Sequence, residues 1–292
     1  MSGLAARLTG KRVVICAGAG GVGKTTVSAA VALWLAAHGR RVAVVTIDPA
    51  RRLAEALGLD ELGNQPRLVD HARLRGSGVE IRGELWAMML DVKRTFDDLI
   101  AQLAPDPSKR DEILANPIYR HISTAVAGSQ EYSAVAKLFE LEQEGGYDAI
   151  ALDTPPSRNA LDFLDAPERL SSFLEGRAVA TFLAPTRHTL HAGSLVLAAF
   201  RRVTGTGLLD DLTTFFGLLS DLVDGFHERA EDVQRLLRDE TTAFLIVTSP
   251  ERTAVDETIF FATELERPAC TEAELLLIEG GPARAGRPWG HG

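Results

Sequence analysis

The apolar pattern of the chain is built on short continuous runs. VVICA, residues 13–17, is five apolar residues closed by a glycine loop. A run of this length without polar alternation predicts a parallel strand covered on both faces. VAVVTID over 42–48, the centre of YDAIALDTPP over 147–156 and AFLIVTSPE over 243–251 repeat it. LWAMMLD, 85–91, reads as one more strand. Between these runs the spacing turns helical. KTTVSAAVALWLAAHG is apolar on more than one face and stops at Gly39. KRTFDDLIAQLA is stopped by Pro105, SKRDEILANP follows it, and QEYSAVAKLFELEQEGG is amphipathic with a glycine end. A last helix runs from the fourth buried run to about Glu266. Strands alternating with helices predict an α/β fold with a mostly parallel sheet flanked by helices.

Three stretches fall outside that alternation. Residues 60–84 are irregular, and a structureless run of roughly 20 residues inside a compact domain marks a functional or mobile segment. Residues 158–240 are mostly helical in pattern, broken at Pro167, Pro185, Gly205 and Gly225, and predict a helical insert lobe within one domain spanning 1–292. The tail, 267–292, offers one weak strand at 274–278 and then a Gly/Pro/Arg segment expected to be disordered.

Composition narrows the classes. A chain of 292 residues supports a sizeable core. Its net charge of −9 argues against nucleic acid or an anionic membrane as a direct partner. Two cysteines, Cys16 and Cys270, are too few for a disulfide framework or a cysteine-rich zinc site within one chain. No zinc site is therefore expected, and the chain suits a reducing compartment. The N-terminus lacks a signal-peptide core, and LVLAAF is far short of the roughly 20 residues of a spanning helix. A cytoplasmic location is expected.

GAGGVGKTT, residues 18–26, is the chemical centre. It fits G-x-x-x-x-G-K-[ST] and sits between a buried strand and a helix, the context that motif needs. Gly18, Gly20, Gly21, Val22, Gly23, Lys24, Thr25 and Thr26 would bind nucleotide phosphates. Glycines let backbone N–H groups turn inward, and the helix N-terminus favours an anion. Lys24 would reach the outer phosphates and Thr25 would ligate Mg²⁺. Asp48 and Asp153 end the next two buried runs. Carboxylates there suit metal ligation or the positioning of an attacking water. For Asp48 the alternative is an N-cap on the helix-like ARRLAEALG.

GAGGVGKTT, TIDPARRLAEALG and DTPPSRNALDFL, in that order and spacing, resemble the anion-transporting ATPase family, as do MMLDVKRTFDDLI and ILANPIYRHISTAVAGSQEYSAVAKL. That family includes the arsenite-pump ATPase and the ATPase that targets tail-anchored membrane proteins. The resemblance covers residues from about 10 to about 266. It implies a P-loop NTPase that hydrolyses ATP with Mg²⁺ as a homodimer or heterodimer, opening and closing with nucleotide state and coupled to a client such as a membrane protein or membrane partner. It implies catalytic roles for Lys24 and Asp48, Mg²⁺ ligation through Thr25 and Asp153, and a second switch at 154–159.

Four departures qualify that picture. Many relatives carry a lysine where Ala19 stands. Its absence leaves open slow hydrolysis, an arginine such as Arg51 or Arg158, or a cation from another subunit, with the last two favoured. The insert has no cysteine for a soft metalloid, so arsenite activation is not expected; Cys16 reads as core. The insert also lacks methionine. Phe182, Leu183, Leu195, Leu197, Phe200, Leu208, Leu209, Phe215, Phe216, Leu218 and Leu219 read first as lobe core and second as a groove for an apolar helix. The tail after Glu266 lacks the family's strand–Asn element. His188 and His191 have a metal-compatible spacing without a third ligand. The competing readings are a partition- or division-type ATPase and a catalytically weak subunit of a heterodimer.

Overall fold

The computed structural model describes residues 3–48, 51–70, 72, 80–104, 106–120, 129–154, 214–215, 217–218, 222–265 and 274–279. Seven strands form one sheet: β1 (Val13–Ala17), β2 (Arg41–Thr46), β3 (Arg67–Leu68), β4 (Glu84–Met89), β5 (Ala149–Asp153), β6 (Thr242–Thr248) and β7 (Glu274–Glu279). Their order is β3-β4-β2-β5-β1-β6-β7. All pairs are parallel except β3 on β4. The predicted mostly parallel sheet is therefore present, with the two-residue β3 as its short antiparallel edge in the segment read as irregular.

The continuous apolar runs pack as expected of two-sided burial. Val13, Val14, Ile15 and Cys16 of β1 are all inaccessible to solvent. On one face Val14, Cys16, Val44, Ala151 and Leu245 meet Ala32, Leu35 and Ala36 of helix α2 (Lys24–Ala37). Each of the valines and leucines among them is worth about 1.5–3 kcal/mol when fully buried. Leu8 of the short α1 (Leu4–Leu8) and Leu53 of α3 (Arg52–Ala56) close the same cluster. Helix α2 ends where glycine permits: Gly39 has φ 90°, its N–H bonds Ala36 O, and Arg40 N bonds Leu35 O, a Schellman closure.

The chain divides into two compact units. The first comprises Met1–Asp91, Gln130–Asp165 and Asp232–Gly292 and contains the sheet. The second comprises Val92–Ser129 and Ala166–Glu231. Its described helices include α4 (Val92–Leu103), α5 (Pro107–Ala115) and the start of α7 (Val223–Arg238). The helix between them in sequence, α6 (Ser129–Gln143), belongs to the first unit apart from its first residue. Apolar Phe96, Leu99 and Ile100 bury one stripe of α4. Gly225 of α7 lies so close to Leu103 that an added Cβ would stand 2.9 Å from Leu103 Cδ2. The helical unit thus draws on 92–129 as well as on the segment read as the insert. Most of that insert, 155–213, lies outside the described residues. Phe215 is buried and Leu218 half-buried; the other insert apolar residues named above, with Arg158, His188 and His191, lie outside the described set.

Helix α8 (Arg252–Leu265) follows β6, and β7 pairs with β6 from Ala243↔Glu274 to Thr248↔Glu279. The weak strand of the tail is therefore a full edge strand, one residue longer than its pattern suggests.

Candidate nucleotide-binding site

The site forms where β1, β2 and β5 end. β1 runs into the glycine loop. At Gly18, φ is 145° and an added Cβ would lie 2.0 Å from the carbonyl oxygen of Val247. No other residue fits that close approach of backbone to backbone. Gly21 and Gly23 also have positive φ, 80° and 96°, and Gly23 is the N-cap of α2. Val22 is buried and anchors the loop. Lys24 opens the helix and folds back, its Nζ donating to Gly18 O at 2.9 Å and Ala19 O at 2.8 Å. It is 6% exposed. Burial lowers its pKa, partly opposed by the Asp153 carboxylate.

Parallel register brings Asp153 between its neighbours, opposite Thr46 of β2 and Cys16 of β1. Thr46 Oγ1 donates to Asp153 Oδ2 at 2.9 Å. Asp153 Oδ1 is buried and has no hydrogen-bond partner among the described residues. Burial raises the Asp153 pKa above the ordinary carboxylate value, against the lowering effects of the Thr25 and Thr46 hydroxyls and of Lys24. The same Thr46 hydroxyl accepts from the backbone N–H of Asp48 at 3.2 Å. One side chain therefore ties both aspartates together.

The N-cap position of α3 is Arg51, not Asp48. Asp48 Oδ2 accepts from Arg52 Nη1 at 2.9 Å, and α3 begins at Arg52 behind Arg51, which takes a left-handed φ of 58°. Thr154, just past β5, donates through Oγ1 to Cys16 O at 2.8 Å. Over these groups lies a cavity of about 620 Å³, within the size range of ligand pockets. Its floor is Gly20, Gly21, Gly23, Lys24, Thr25 and Thr26; its wall is Asp48, Arg52, Glu55, Ala56 and Thr154.

The structure thus brings Lys24, Thr25, Thr26, Asp48 and Asp153 to one place. Gly18 and Val22 serve from beneath. Cys16 is core, its thiol pushed up to about 12 by burial. Thr46, Arg52 and Glu55 were not singled out by sequence reasoning, whereas Thr154 was named as the start of the second switch. The available signal was weak: a polar residue closing an apolar run, and arginines next to one another. The arginine facing the cavity is Arg52, whereas the sequence reading named Arg51. Thr25 and Asp153 supply hard oxygens, one of them the unpartnered Oδ1, a donor set that fits Mg²⁺.

A phosphate loop between a buried strand and a helix, with one carboxylate at the end of the adjacent strand β5 and another just past β2, defines a P-loop nucleotide-binding fold. The chain belongs to the anion-transporting ATPase family, whose profile matches residues 11–277. That match reaches into β7, beyond the point near Glu266 where the sequence resemblance stops. A protein of Aquifex aeolicus named as an arsenical pump-driving ATPase is 24% identical over 84% of this chain and 57% of its own length. The ATPase get3 of Aspergillus terreus is 30% identical over 56% of this chain and 45% of its own. The ATPase GET3 of Malassezia globosa is 27% identical over 86% and 67%. The chain spans about half the length of the first two of these relatives.

Proposed function

We propose that the chain binds ATP with Mg²⁺ in this cavity and hydrolyses it. The observation that carries the reading is Asp153: a buried carboxylate with one unpartnered oxygen, beside Thr25 and Lys24, at the end of a central strand. Leaving a buried acceptor unpaired costs about 1–3 kcal/mol, and a metal ion is the ligand class that recovers it. The loop amides and Lys24 would hold the phosphates. Thr25 and Asp153 would hold Mg²⁺, whose charge offsets that of the transferring phosphoryl group. Asp48, on the cavity wall, would orient the attacking water.

The family resemblance supports two further parts of the reading: a dimer that opens and closes with nucleotide state, and coupling of that motion to a client or partner protein. Family membership favours this over a partition- or division-type ATPase. No described helix is long and apolar enough to cross a membrane; a cytoplasmic site of action is part of the same reading.

Single-turnover ATP hydrolysis with and without Mg²⁺ tests the reading. Lys24→Ala should lose about 100-fold or more in turnover. Asp48→Asn should keep ATP affinity within a few-fold and lose about 100-fold or more in rate. Wild-type rates in Asp48→Asn would remove Asp48 from the chemistry.

A further inference from the structure

The glycine loop offers a single cation, Lys24, and Ala19 adds only a methyl. Phosphoryl transfer concentrates negative charge on the outer phosphate, and P-loop enzymes meet it with an additional positive group, often an arginine in the same chain or a partner. Among the described residues, the second cation lining this cavity is Arg52. It sits close enough to Lys24 for its charge to lower the lysine's pKa. Its side chain is 62% exposed, and its ion pair is with Asp48. Among the described residues that pair engages one of the five guanidinium N–H donors, leaving the rest of the fork available. The backbone is arranged for this placement. Arg51 is the one non-glycine residue with positive φ among those described, and its left-handed turn starts α3 so that Arg52, not Arg51, faces the loop. Strained backbone of this kind gathers at functional positions.

We propose that Arg52 is a catalytic residue of this site: its guanidinium moves from Asp48 onto the outermost phosphate as charge develops there. This rests on the ATPase reading above. In the step, the water oxygen bonds to the γ-phosphorus and the bond to the bridging oxygen breaks, its electron pair leaving with ADP. The water proton passes by way of Asp48 to the released phosphate, and Arg52 stays charged throughout. The same movement frees the Asp48 carboxylate for the water, so the resting ion pair restrains the base until nucleotide is present. A charge in cis also removes the need for a cation from another chain.

The experiment compares wild type, Arg52→Ala and Arg52→Lys by three measurements: ATP affinity by calorimetry, single-turnover hydrolysis, and capture of ADP with aluminium fluoride, a mimic of the transferring phosphoryl group. Arg52→Ala should keep ATP affinity within about threefold while hydrolysis falls about 1,000-fold and capture is lost. Arg52→Lys should recover part of both, because a lysine keeps the charge without the fork. Wild-type turnover in Arg52→Ala overturns the proposal. So does a fall in ATP affinity as large as the fall in rate, which would mean uniform binding. A wild type that binds ATP but neither hydrolyses it nor captures the mimic also overturns it, since the chain's own arginine then does not suffice. A wild type that binds no ATP overturns the ATPase reading and this proposal with it.

Discussion

Asp148 stands just before β5 and Asp153 closes it, five residues on. Asp148 is exposed: its Oδ2 accepts from the Arg41 backbone N–H at 2.7 Å, and its carbonyl accepts from the Arg40 guanidinium. Its surroundings are matched in the same way. Arg41 pairs with Glu84 at 3.0 Å and lies over the rings of Trp86 and Tyr147 at 5.3 and 5.4 Å. Arg12 pairs with Glu142 at 2.8 Å, and Lys11 donates to Glu240 O at 2.7 Å. Asp153, by contrast, is 2% exposed with one oxygen unpartnered among the described residues, and the nearby Lys24 donates to two carbonyls of its own loop. The amino-terminal edge of the sheet therefore has its charges paired within the chain and wet, where each pair is worth little. The carboxyl-terminal edge keeps buried valence in reserve. That reserve costs stability in the free protein and is what a phosphate and a metal ion would use.

Exchanging the charge at the two ends gives the largest contrast. Asp153→Asn should lower Mg²⁺-dependent turnover about 100-fold, yet leave the melting temperature without Mg²⁺ unchanged or higher, because a buried anion has been removed. Asp148→Asn should leave turnover at the wild-type level with a slightly lower melting temperature. Equal turnover losses in the two would erase the distinction.

A pH series sharpens it. The Asp153 pKa is raised by burial, so between its unfolded and folded values the native chain holds a proton the unfolded chain has lost. Stability then falls as pH rises through that window, beginning near the ordinary value of 3.8. Wild type without Mg²⁺ should lose stability relative to Asp153→Asn as pH climbs from there; saturating Mg²⁺ with nucleotide should restore it. Parallel denaturation curves at every pH would contradict the assignment.

The next effect is smaller and belongs to Thr46. Removing its hydroxyl in Thr46→Val should weaken Mg²⁺ dependence of nucleotide binding about tenfold, and Thr46→Ser should recover most of it. If Ser and Val behave alike, the hydroxyl is only filling space. Least visible is Cys16, opposite Asp153 in register. With its thiol held near 12 by burial, it should resist maleimide at pH 8 in a Cys270→Ser chain until the protein is unfolded.

What could be read in the chain was what is contiguous. β1, the loop, α2 and the start of β2 are one unbroken stretch, each with its own local rule: apolar run, glycine turn, lysine at the helix start. Asp153 was legible because it ends an apolar run. The arsenal around it was less so. Thr46 looked like an ordinary polar residue closing a strand, and β3 is too short to leave a periodicity.

The sequence by itself determined the class of fold, the phosphate loop and the two carboxylates, because burial and turn chemistry act between near neighbours. Tertiary structure alone decided the strand order that sets β5 between β2 and β1, and with it the bond from Thr46 to a carboxylate 107 residues away. It decided that helices 92–115 join the second unit and that β7 completes the sheet edge. It also decided which of two adjacent arginines faces the loop, since that depends on one left-handed φ at Arg51. Register, strand order and a single backbone dihedral are relations between distant or strained parts of the chain, and residue pattern carries no term for them.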